Sequence, residues 1–358
     1  MEAIKKQAFE FQMEGTPIFC ARYGNGHINE TYFVLDSEAR SYILQKINKN
    51  IFKDPVSLMQ NVAAVTKYLQ KNAADRNHTM NLVPANNGAD WFVDADGEYW
   101  RVYDFITNTI CLEQAQTPED FKESGFAFGE FQRQLADFPA ETLVETIPHF
   151  HDTPSRYAAF RKALEEDKLG RAKDVQPEIE FALAREDYAA KLMDLQRAGD
   201  LPLRVTHNDT KLNNVLLDRY TRKTLCVVDL DTVMPGLSVT DFGDSIRFGA
   251  STAVEDEQDL SKVTMSLELL QAYTEGFLSA CGKSLTVCEI AHLADGAKMM
   301  TLECGTRFLT DYLQGDTYFR IHREGQNLDR CRTQYKLVAD MEAKWEQMQA
   351  IIQKEAQK

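Results

Sequence analysis

The segment from His207 to Asp231 (HNDTKLNNVLLDRYTRKTLCVVDLD) combines carboxylates and an amide at a spacing that suits phosphoryl transfer. Asn214 follows Asp209 by five residues, and Asp229 closes the apolar run Leu225–Val228, which we expect to form a buried strand. Phosphoryl transfer from ATP uses one carboxylate to orient or deprotonate the attacking hydroxyl, and an amide oxygen and a second carboxylate to hold Mg²⁺. We therefore predict Asp209 as the general base and Asn214 and Asp229 as metal ligands, with ATP and Mg²⁺ as cofactors.

Neighbouring polar residues in this segment have further predicted roles. Lys211 lies two residues after Asp209, where its charge could reach the transferred phosphoryl group, so we assign it to catalysis. His207 is expected to brace the loop through hydrogen bonds. Asp231 shares the strand face of Asp229 if the strand extends that far, which makes it a candidate for a second metal or substrate contact.

Two candidate strands near the N-terminus, residues 18–23 and 30–35, are joined by a loop that contains Gly24 and Gly26. The backbone N–H groups of such a loop can bind phosphates. An Asn-Gly pair between strands is also typical of a simple hairpin turn. Because this loop precedes the Asp209 segment, we favour phosphate binding and predict Gly24 and Gly26 as nucleotide-binding residues.

The third candidate strand, residues 41–47, departs from the usual kinase pattern. Kinases place a lysine on this strand, where it binds the α- and β-phosphates and pairs with a glutamate of the next helix. Here the lysine position is occupied by Gln45, Lys46 points to the opposite face, and the predicted helix 54–72 contains no glutamate. The ion pair is therefore expected to be absent. Gln45 is a candidate nucleotide contact, and Lys46 is either a second one or a solvated surface residue.

A further hairpin ends at Tyr103–Thr107, where the hydrophobic periodicity changes from that of a strand to that of a helix. We place a lobe boundary there. Residues 1–105 are predicted to form a small antiparallel-sheet lobe that binds the nucleotide, and residues 106–358 a larger, mostly helical lobe with the catalytic loop and the acceptor site. The connector, including Tyr103 and Phe105, is expected to present backbone groups to adenine. The predicted fold class is α+β.

The helical lobe opens with a strong start signal, Thr117-Pro118-Glu119-Asp120. Thr117 can cap the helix, proline suits its first turn, and the acidic residues oppose the positive end of the helix dipole. Phe121, Phe128 and Phe131 then recur at helical spacing and are expected to be core residues. Residues 255–357 are expected to form three or more helices.

Composition limits the partners and the compartment. The chain has 358 residues, enough for two lobes, and a net charge of −15, which makes nucleic acid and anionic membranes poor candidates as partners. No apolar run is long enough to span a bilayer. Seven cysteines without a CxxC pair favour reduced thiols, and the N-terminus shows no secretory signal. We therefore expect a cytoplasmic protein that acts on a small molecule.

The order of these motifs resembles the aminoglycoside phosphotransferase and choline kinase superfamily, whose members have a two-lobed protein-kinase-like fold. The glycine loop, third strand, connector, catalytic loop and metal-binding aspartate follow one another in the order of that family over most of the chain. In the family a later aspartate usually braces the catalytic loop from a helix, which implies a structural role for Asp241 or Asp244. More narrowly, HNDTKLNNVLLD, VVDLDTVMPG, DFGDSIR and RFLTDYLQGDTYF resemble bacterial N-acetylhexosamine 1-kinases.

This narrower resemblance implies a sugar kinase that phosphorylates the anomeric hydroxyl of N-acetylglucosamine or N-acetylgalactosamine. Arg307 and Tyr318 become the implied sugar contacts, with Thr232 and Asp231 as weaker candidates. A surface helix with salt bridges would explain the same residues equally well from sequence alone. Two alternatives stay open: the same reaction on another small alcohol (choline, ethanolamine, homoserine or an aminoglycoside), or a non-catalytic kinase-like protein that binds nucleotide.

Overall fold

The computed structural model describes residues 5–24, 28–71, 73 and 78–358. The chain divides into two compact units, and each unit contains several segments. The first unit comprises residues 1–111, 137–148 and 215–234, and the second comprises residues 112–136, 149–214 and 235–358. Our division from sequence separates two continuous lobes after residue 105. The units differ from those lobes because two later segments pack with the N-terminal part of the chain.

The described secondary-structure elements are numbered in chain order. The strands are β1 (Pro17–Arg22), β2 (Glu30–Asp36), β3 (Ser41–Lys46), β4 (Leu82–Val83), β5 (Phe92–Val93), β6 (Tyr99–Asp104), β7 (Thr109–Cys111), β8 (Arg204–Thr206), β9 (Val215–Asp218), β10 (Thr224–Val227) and β11 (Met234–Gly236). The helices are α1 (Pro55–Gln70), α2 (Pro118–Gln134), α3 (Thr153–Glu166), α4 (Gln176–Leu183), α5 (Glu186–Ala189), α6 (Lys191–Ala198), α7 (Ser238–Gly249), α8 (Leu267–Cys281), α9 (Val287–Ala291), α10 (Leu293–Gln314), α11 (Gln326–Ala343) and α12 (Trp345–Ala356).

The first unit is organised by an antiparallel sheet in the order β1-β2-β3-β6-β4, in which β5 also pairs with β6. Fully buried residues alternate with less buried ones along the strands, as in Val34 of β2, Leu44 of β3 and Val102 of β6. This alternation is typical of a sheet that packs one face on a core. A second sheet has the order β10-β9-β7. The prediction of a small antiparallel-sheet lobe is confirmed.

Helix α1 joins the later segments to the first unit. The helix is capped by Asp54, whose side chain accepts a hydrogen bond from the Ser57 N–H at 3.1 Å. The buried side chain of Asn61 donates to the carbonyl groups of Val144 at 2.7 Å and Val233 at 3.1 Å. One amide therefore satisfies backbone groups from both later segments, which a buried loop requires.

The second unit is mainly helical, and its first helix confirms a prediction. Thr117 and Asp120 form a capping box at the start of α2. Farther along the unit, α7 and α10 approach closely at Gly243 and Gly296, where a Cβ on either residue would collide with the backbone of the opposite helix. Because glycine permits this close approach, α7 is held firmly against α10, which carries Arg307.

All seven cysteines are free thiols, and four of them are buried. Burial raises the pKa of the Cys226 thiol to about 12. This thiol is therefore protonated at neutral pH and packs as a small apolar side chain. Among the helices of the described residues, none combines the length and apolarity needed to cross a membrane.

Candidate active site

A cavity of about 250 Å³ in the first unit brings together five residues that we predicted from sequence. These are Gly24, Gln45, Tyr103, Phe105 and Asp229. The other lining residues are Tyr23, Thr31, Ile43, Met80, Arg101, Asp104, Ile106, Thr109, Leu216 and Val228. Gly26, which we also predicted to bind nucleotide, lies outside the described residues.

The end of β6 provides hydrogen-bonding groups on the cavity wall. The hydroxyl of Tyr103 is buried and has no hydrogen-bond partner in the described part of the chain. Burial raises the pKa of Tyr103, so its phenol stays neutral. The N–H of Phe105 donates to the Ser41 carbonyl at 3.0 Å, whereas the N–H of the buried Ile106 makes no hydrogen bond to described residues. A bound ring with polar edges could satisfy both groups, since buried donors normally have partners.

Strand β3 places Gln45 and Lys46 on opposite faces, as predicted. Gln45 lines the cavity, and its side-chain oxygen accepts hydrogen bonds from Arg101 Nε at 3.0 Å and Nη2 at 2.9 Å. Lys46 instead forms ion pairs with Glu30 at 3.6 Å and Glu98 at 3.3 Å. The lysine is thus engaged away from the cavity, and the cavity face of the sheet carries an arginine.

The chain leaves the strand direction before it reaches Asp231. Strand β10 ends at Val227, and Asp229 adopts a left-handed conformation with φ of 62°. Residues Leu230–Thr232 then form a short 3₁₀ helix. The condition under which Asp231 would share the strand face of Asp229 is therefore not met. Thr232, the other weak candidate for a sugar contact, is buried within the first unit.

Arg101 is the charged residue of the cavity wall that our sequence reasoning missed. Its side chain is 1% exposed, and its Nη1 lies 2.5 Å from Asp231 Oδ1. The second oxygen of Asp231 accepts a hydrogen bond from Asn29 Nδ2 at 2.5 Å. Both oxygens of Asp231 are thus engaged, and a substrate could bind this carboxylate only after one contact breaks. The sequence signal was an arginine in the middle of an apolar strand.

In the second unit, two carboxylates of α7 hold the catalytic loop, residues 207–214. Asp241 accepts hydrogen bonds from two consecutive N–H groups of the loop, starting at His207, each at 2.8 Å. Asp244 accepts from the Thr210 N–H at 3.1 Å. Our prediction that a later aspartate braces the loop from a helix is confirmed, and both Asp241 and Asp244 do so.

His207 has a structural role in this loop. It is fully buried, and its ring packs edge-on against Phe128 and Phe131, with centroid distances of 5.3 Å and 5.8 Å. Its Nδ1 accepts a hydrogen bond from the Asp209 N–H at 3.3 Å. The imidazole therefore fixes the backbone at Asp209, as we expected.

The predicted base, Asp209, lies between two polar side chains. Lys211 Nζ is 2.8 Å from Asp209 Oδ1, and the Asn214 amide donates to Asp209 Oδ2 at 3.2 Å. Burial raises the pKa of Asp209, but the Lys211 ammonium and these hydrogen bonds outweigh that effect and hold the pKa below its ordinary value. The Asp209 carboxylate in turn raises the pKa of Lys211. Asp209 is therefore ionised at neutral pH, which is the state that a general base requires.

The predicted metal ligands have the donor chemistry that Mg²⁺ prefers. The Asn214 amide nitrogen donates to the carbonyl of Asp209 at 2.8 Å as well as to its side chain, which leaves the amide oxygen for a cation. Asp229, in the first unit, offers an exposed carboxylate. Within the described residues, no group of three or more His, Cys, Asp or Glu residues could hold a metal. Two protein ligands with the rest from water and phosphate are usual for Mg²⁺, so the residues present fit this ion.

A cluster of aromatic rings surrounds Arg307 on α10 in the second unit. The guanidinium carbon lies 5.5 Å from the ring centroid of Phe150, 5.8 Å from that of Tyr318 and 5.4 Å from that of Phe319. Tyr318 is 58% exposed. The buried Asp311 accepts three backbone N–H groups of the loop after α10, including that of Tyr318, at 2.8 to 2.9 Å. We call Phe150, Arg307, Tyr318 and Phe319 the Arg307 cluster.

A buried histidine connects α10 with the catalytic loop, and we did not predict this link. His151 Nδ1 lies 3.1 Å from Glu303 Oε1, and its Nε2 lies 3.2 Å from the carbonyl oxygen of Asn208. The two partners are 152 and 57 residues away in sequence, so no local pattern could have revealed them. Because Asn208 precedes Asp209, this histidine helps to position the base relative to α10.

The known families now account for this combination of fold and loop. The model of the phosphotransferase enzyme family matches residues 20–275. The chain belongs to this family. It is therefore a small-molecule phosphotransferase with an alcohol acceptor, as the catalytic loop suggested.

Solved structures support the same fold at low sequence identity. A microcompartment-associated aminopropanol kinase has a TM-score of 0.60 and 15% identity, covering 96% of this chain and 97% of the other. An aminoglycoside phosphotransferase from Alicyclobacillus acidocaldarius has a TM-score of 0.61 and 13% identity, with 100% and 97% coverage. An amicoumacin kinase in complex with AMP-PNP, Ca²⁺ and Ami has a TM-score of 0.60 and 14% identity, with 93% and 92% coverage. The two-lobed, kinase-like α+β fold is confirmed.

Proposed function

We propose that this phosphotransferase is an ATP- and Mg²⁺-dependent sugar kinase. Its product would be the 1-phosphate of N-acetylglucosamine or N-acetylgalactosamine. The observation that carries the proposal is an ionised Asp209 in the same compact unit as the Arg307 cluster, linked to it through His151 and α10. Aromatic faces suit the C–H surfaces of a sugar ring, and a guanidinium suits its hydroxyl and acetyl oxygens.

In this proposal each residue has a defined task. Asp209 accepts the proton of the anomeric hydroxyl as that oxygen attacks the γ-phosphate, and Lys211 stabilises the charge on the transferred group. Asn214 and Asp229 would hold Mg²⁺, which when bound neutralises charge on the nucleotide phosphates. Gly24, Gln45, Tyr103 and Phe105 would bind the nucleotide. Most of the acceleration would come from positioning and from preorganised charge.

For the sugar itself, we propose Arg307 and Tyr318 as contacts. Tyr318 combines an exposed ring with a backbone that Asp311 holds in place. Its position is thus preorganised, which lowers the entropy lost on binding. Thr232 and Asp231 stay weaker proposals for this role, because Thr232 is buried and Asp231 already has two side-chain partners.

The second candidate function is phosphorylation of an amino alcohol. Two observations favour it: the aminopropanol kinase of the same fold, and a net charge of −15, which attracts cations. The Arg307 cluster argues for the sugar. Arg156 is close enough to Arg307 for the second charge to help lower the pKa of Arg156, after the larger effect of burial. Two neighbouring guanidinium groups disfavour a cationic acceptor.

The test is ADP release with Mg–ATP against separate acceptors: N-acetylglucosamine, N-acetylgalactosamine, glucose, choline, aminopropanol and kanamycin. Phosphorus NMR then locates the new phosphate on the product. We expect a sugar 1-phosphate from the two N-acetylated sugars. Turnover with choline, aminopropanol or kanamycin alone would support the second candidate. Thermal stabilisation by nucleotide without any turnover would instead indicate a nucleotide-binding protein.

A further inference from the structure

The nucleotide that the proposed function requires carries several negative charges, and the cavity must offset them. Among the described residues that line this cavity, Arg101 is the only cation. The residue at the usual lysine position, Gln45, is neutral, and Lys46 is paired with Glu30 and Glu98 on the opposite face. The cationic role is thus left to Arg101.

The partner of Arg101 also differs from the kinase pattern. A kinase lysine is paired with a glutamate of the following helix. Here α1 offers Met59, whose sulfur lies 3.7 Å from Arg101 Nη1. The carboxylate comes instead from Asp231, 2.5 Å away. A buried ion pair by itself is weak support for stability, because desolvation offsets the attraction. Its position on a cavity wall suggests a task in binding.

The guanidinium retains capacity for a ligand. Its five N–H donors are used once at Nε and once at Nη2, both toward Gln45, and at Nη1 toward Asp231 and Met59. One Nη2 hydrogen has no partner within the described parts of the chain. An oxygen of a phosphate is a suitable acceptor for this donor.

The same pair holds the segment that follows Asp229. Asp231 lies two residues after Asp229, its second oxygen accepts from Asn29, and its backbone carbonyl accepts from the Thr146 hydroxyl at 3.1 Å. Asn29 is itself fixed by the Asn48 N–H at 3.0 Å. Arg101 therefore contacts a network that sets the position of Asp229.

We propose that the Arg101–Asp231 pair replaces the lysine–glutamate pair of kinases. Arg101 is the phosphate-binding cation, and Asp231 is the positioning residue that couples this cation to the Asp229 segment. This inference rests on the proposed binding of ATP. It assigns to Arg101 the contact for which the sequence offered Gln45 or Lys46, and it gives Asp231 a role other than a sugar contact.

The test compares nucleotides with and without phosphates. Isothermal titration calorimetry measures the affinity of Mg–AMP-PNP and of adenosine for the wild type, the double variant Arg101→Gln/Asp231→Asn, and Lys46→Gln as the matched control. The double variant removes both charges, so no buried charge is left unpaired. We expect its affinity for AMP-PNP to fall by about tenfold or more, as for a lost charge-assisted hydrogen bond, while adenosine affinity changes by less than about twofold.

Three results would overturn the inference. They are an unchanged AMP-PNP affinity, an equal loss for AMP-PNP and adenosine, and a larger loss in Lys46→Gln than in the double variant. Arg101→Lys, which keeps the charge, covers the case in which the double variant does not fold, and it should show the same preferential loss to a smaller degree. If the wild type binds no nucleotide, the proposed function itself fails. Wild-type binding that the double variant retains in full contradicts only the role of Arg101.

Discussion

Two acidic segments are predicted to carry the chemistry, and the structure holds them by different means. In the second unit, the catalytic loop is attached through backbone N–H groups to Asp241 and Asp244 of α7. In the first unit, the segment after Asp229 is attached through side chains, by the ion pair of Asp231 with Arg101. Backbone hydrogen bonds determine the path of a loop whatever its side chains are. A side-chain ion pair makes the position of a segment depend on charge in the cavity wall.

The largest expected effect concerns the base that the first of these arrangements presents. In Asp209→Asn, we expect kcat to fall by roughly three powers of ten or more, because the amide cannot accept the proton of the acceptor hydroxyl. Affinity for Mg–AMP-PNP should stay near that of the wild type, since the change leaves the cavity of the first unit intact. Steady-state kinetics and calorimetry measure the two quantities. Near-normal turnover would contradict the assignment of Asp209.

The next prediction tests the comparison directly through stability. Asp231→Asn leaves the buried Arg101 without its counter-ion, and we expect a loss of about 3–5 kcal/mol in the free energy of unfolding. Asp241→Asn weakens hydrogen bonds to uncharged donors, and we expect about 1–3 kcal/mol. Urea denaturation of both variants measures the difference. Equal losses would show that the two segments are held with similar strength after all.

A smaller effect is expected at the Arg307 cluster. Arg307→Met removes a forked donor, and we expect the KM for the sugar to rise by about tenfold, the equivalent of one charge-assisted hydrogen bond. The KM for ATP should change little. The matched control is Arg320→Met, which alters an exposed arginine in the loop after α10. An equal change in both variants would indicate a general effect of positive charge.

The smallest effect concerns the histidine behind the catalytic loop. Burial lowers the pKa of His151, but the Glu303 carboxylate outweighs burial and holds the pKa above its ordinary value. A raised folded-state pKa means that this pair stabilises the protein below the unfolded-state pKa and less as the pH rises through the folded-state pKa. The wild type should therefore exceed His151→Gln in unfolding free energy by more at pH 6 than at pH 9. Denaturation at the two pH values measures this, and a pH-independent difference would contradict the ion pair.

The sequence alone was sufficient for features that depend on near neighbours in the chain. The start of α2 at Thr117, the opposite faces of Gln45 and Lys46, and a later aspartate that braces the catalytic loop were all predicted and are confirmed. Capping, strand alternation and motif spacing arise from contacts within a few residues, so they can be recognised in the printed sequence.

Only the tertiary structure decided which distant residues meet. Asn29 and Asp231 are 202 residues apart and share a hydrogen bond, and His151 meets Glu303 across 152 residues. The cation of the cavity wall came from β6, a strand that we had considered only for its end at the connector. Such pairs depend on the register of neighbouring strands and on the packing of helices, and no period or spacing along the chain records them.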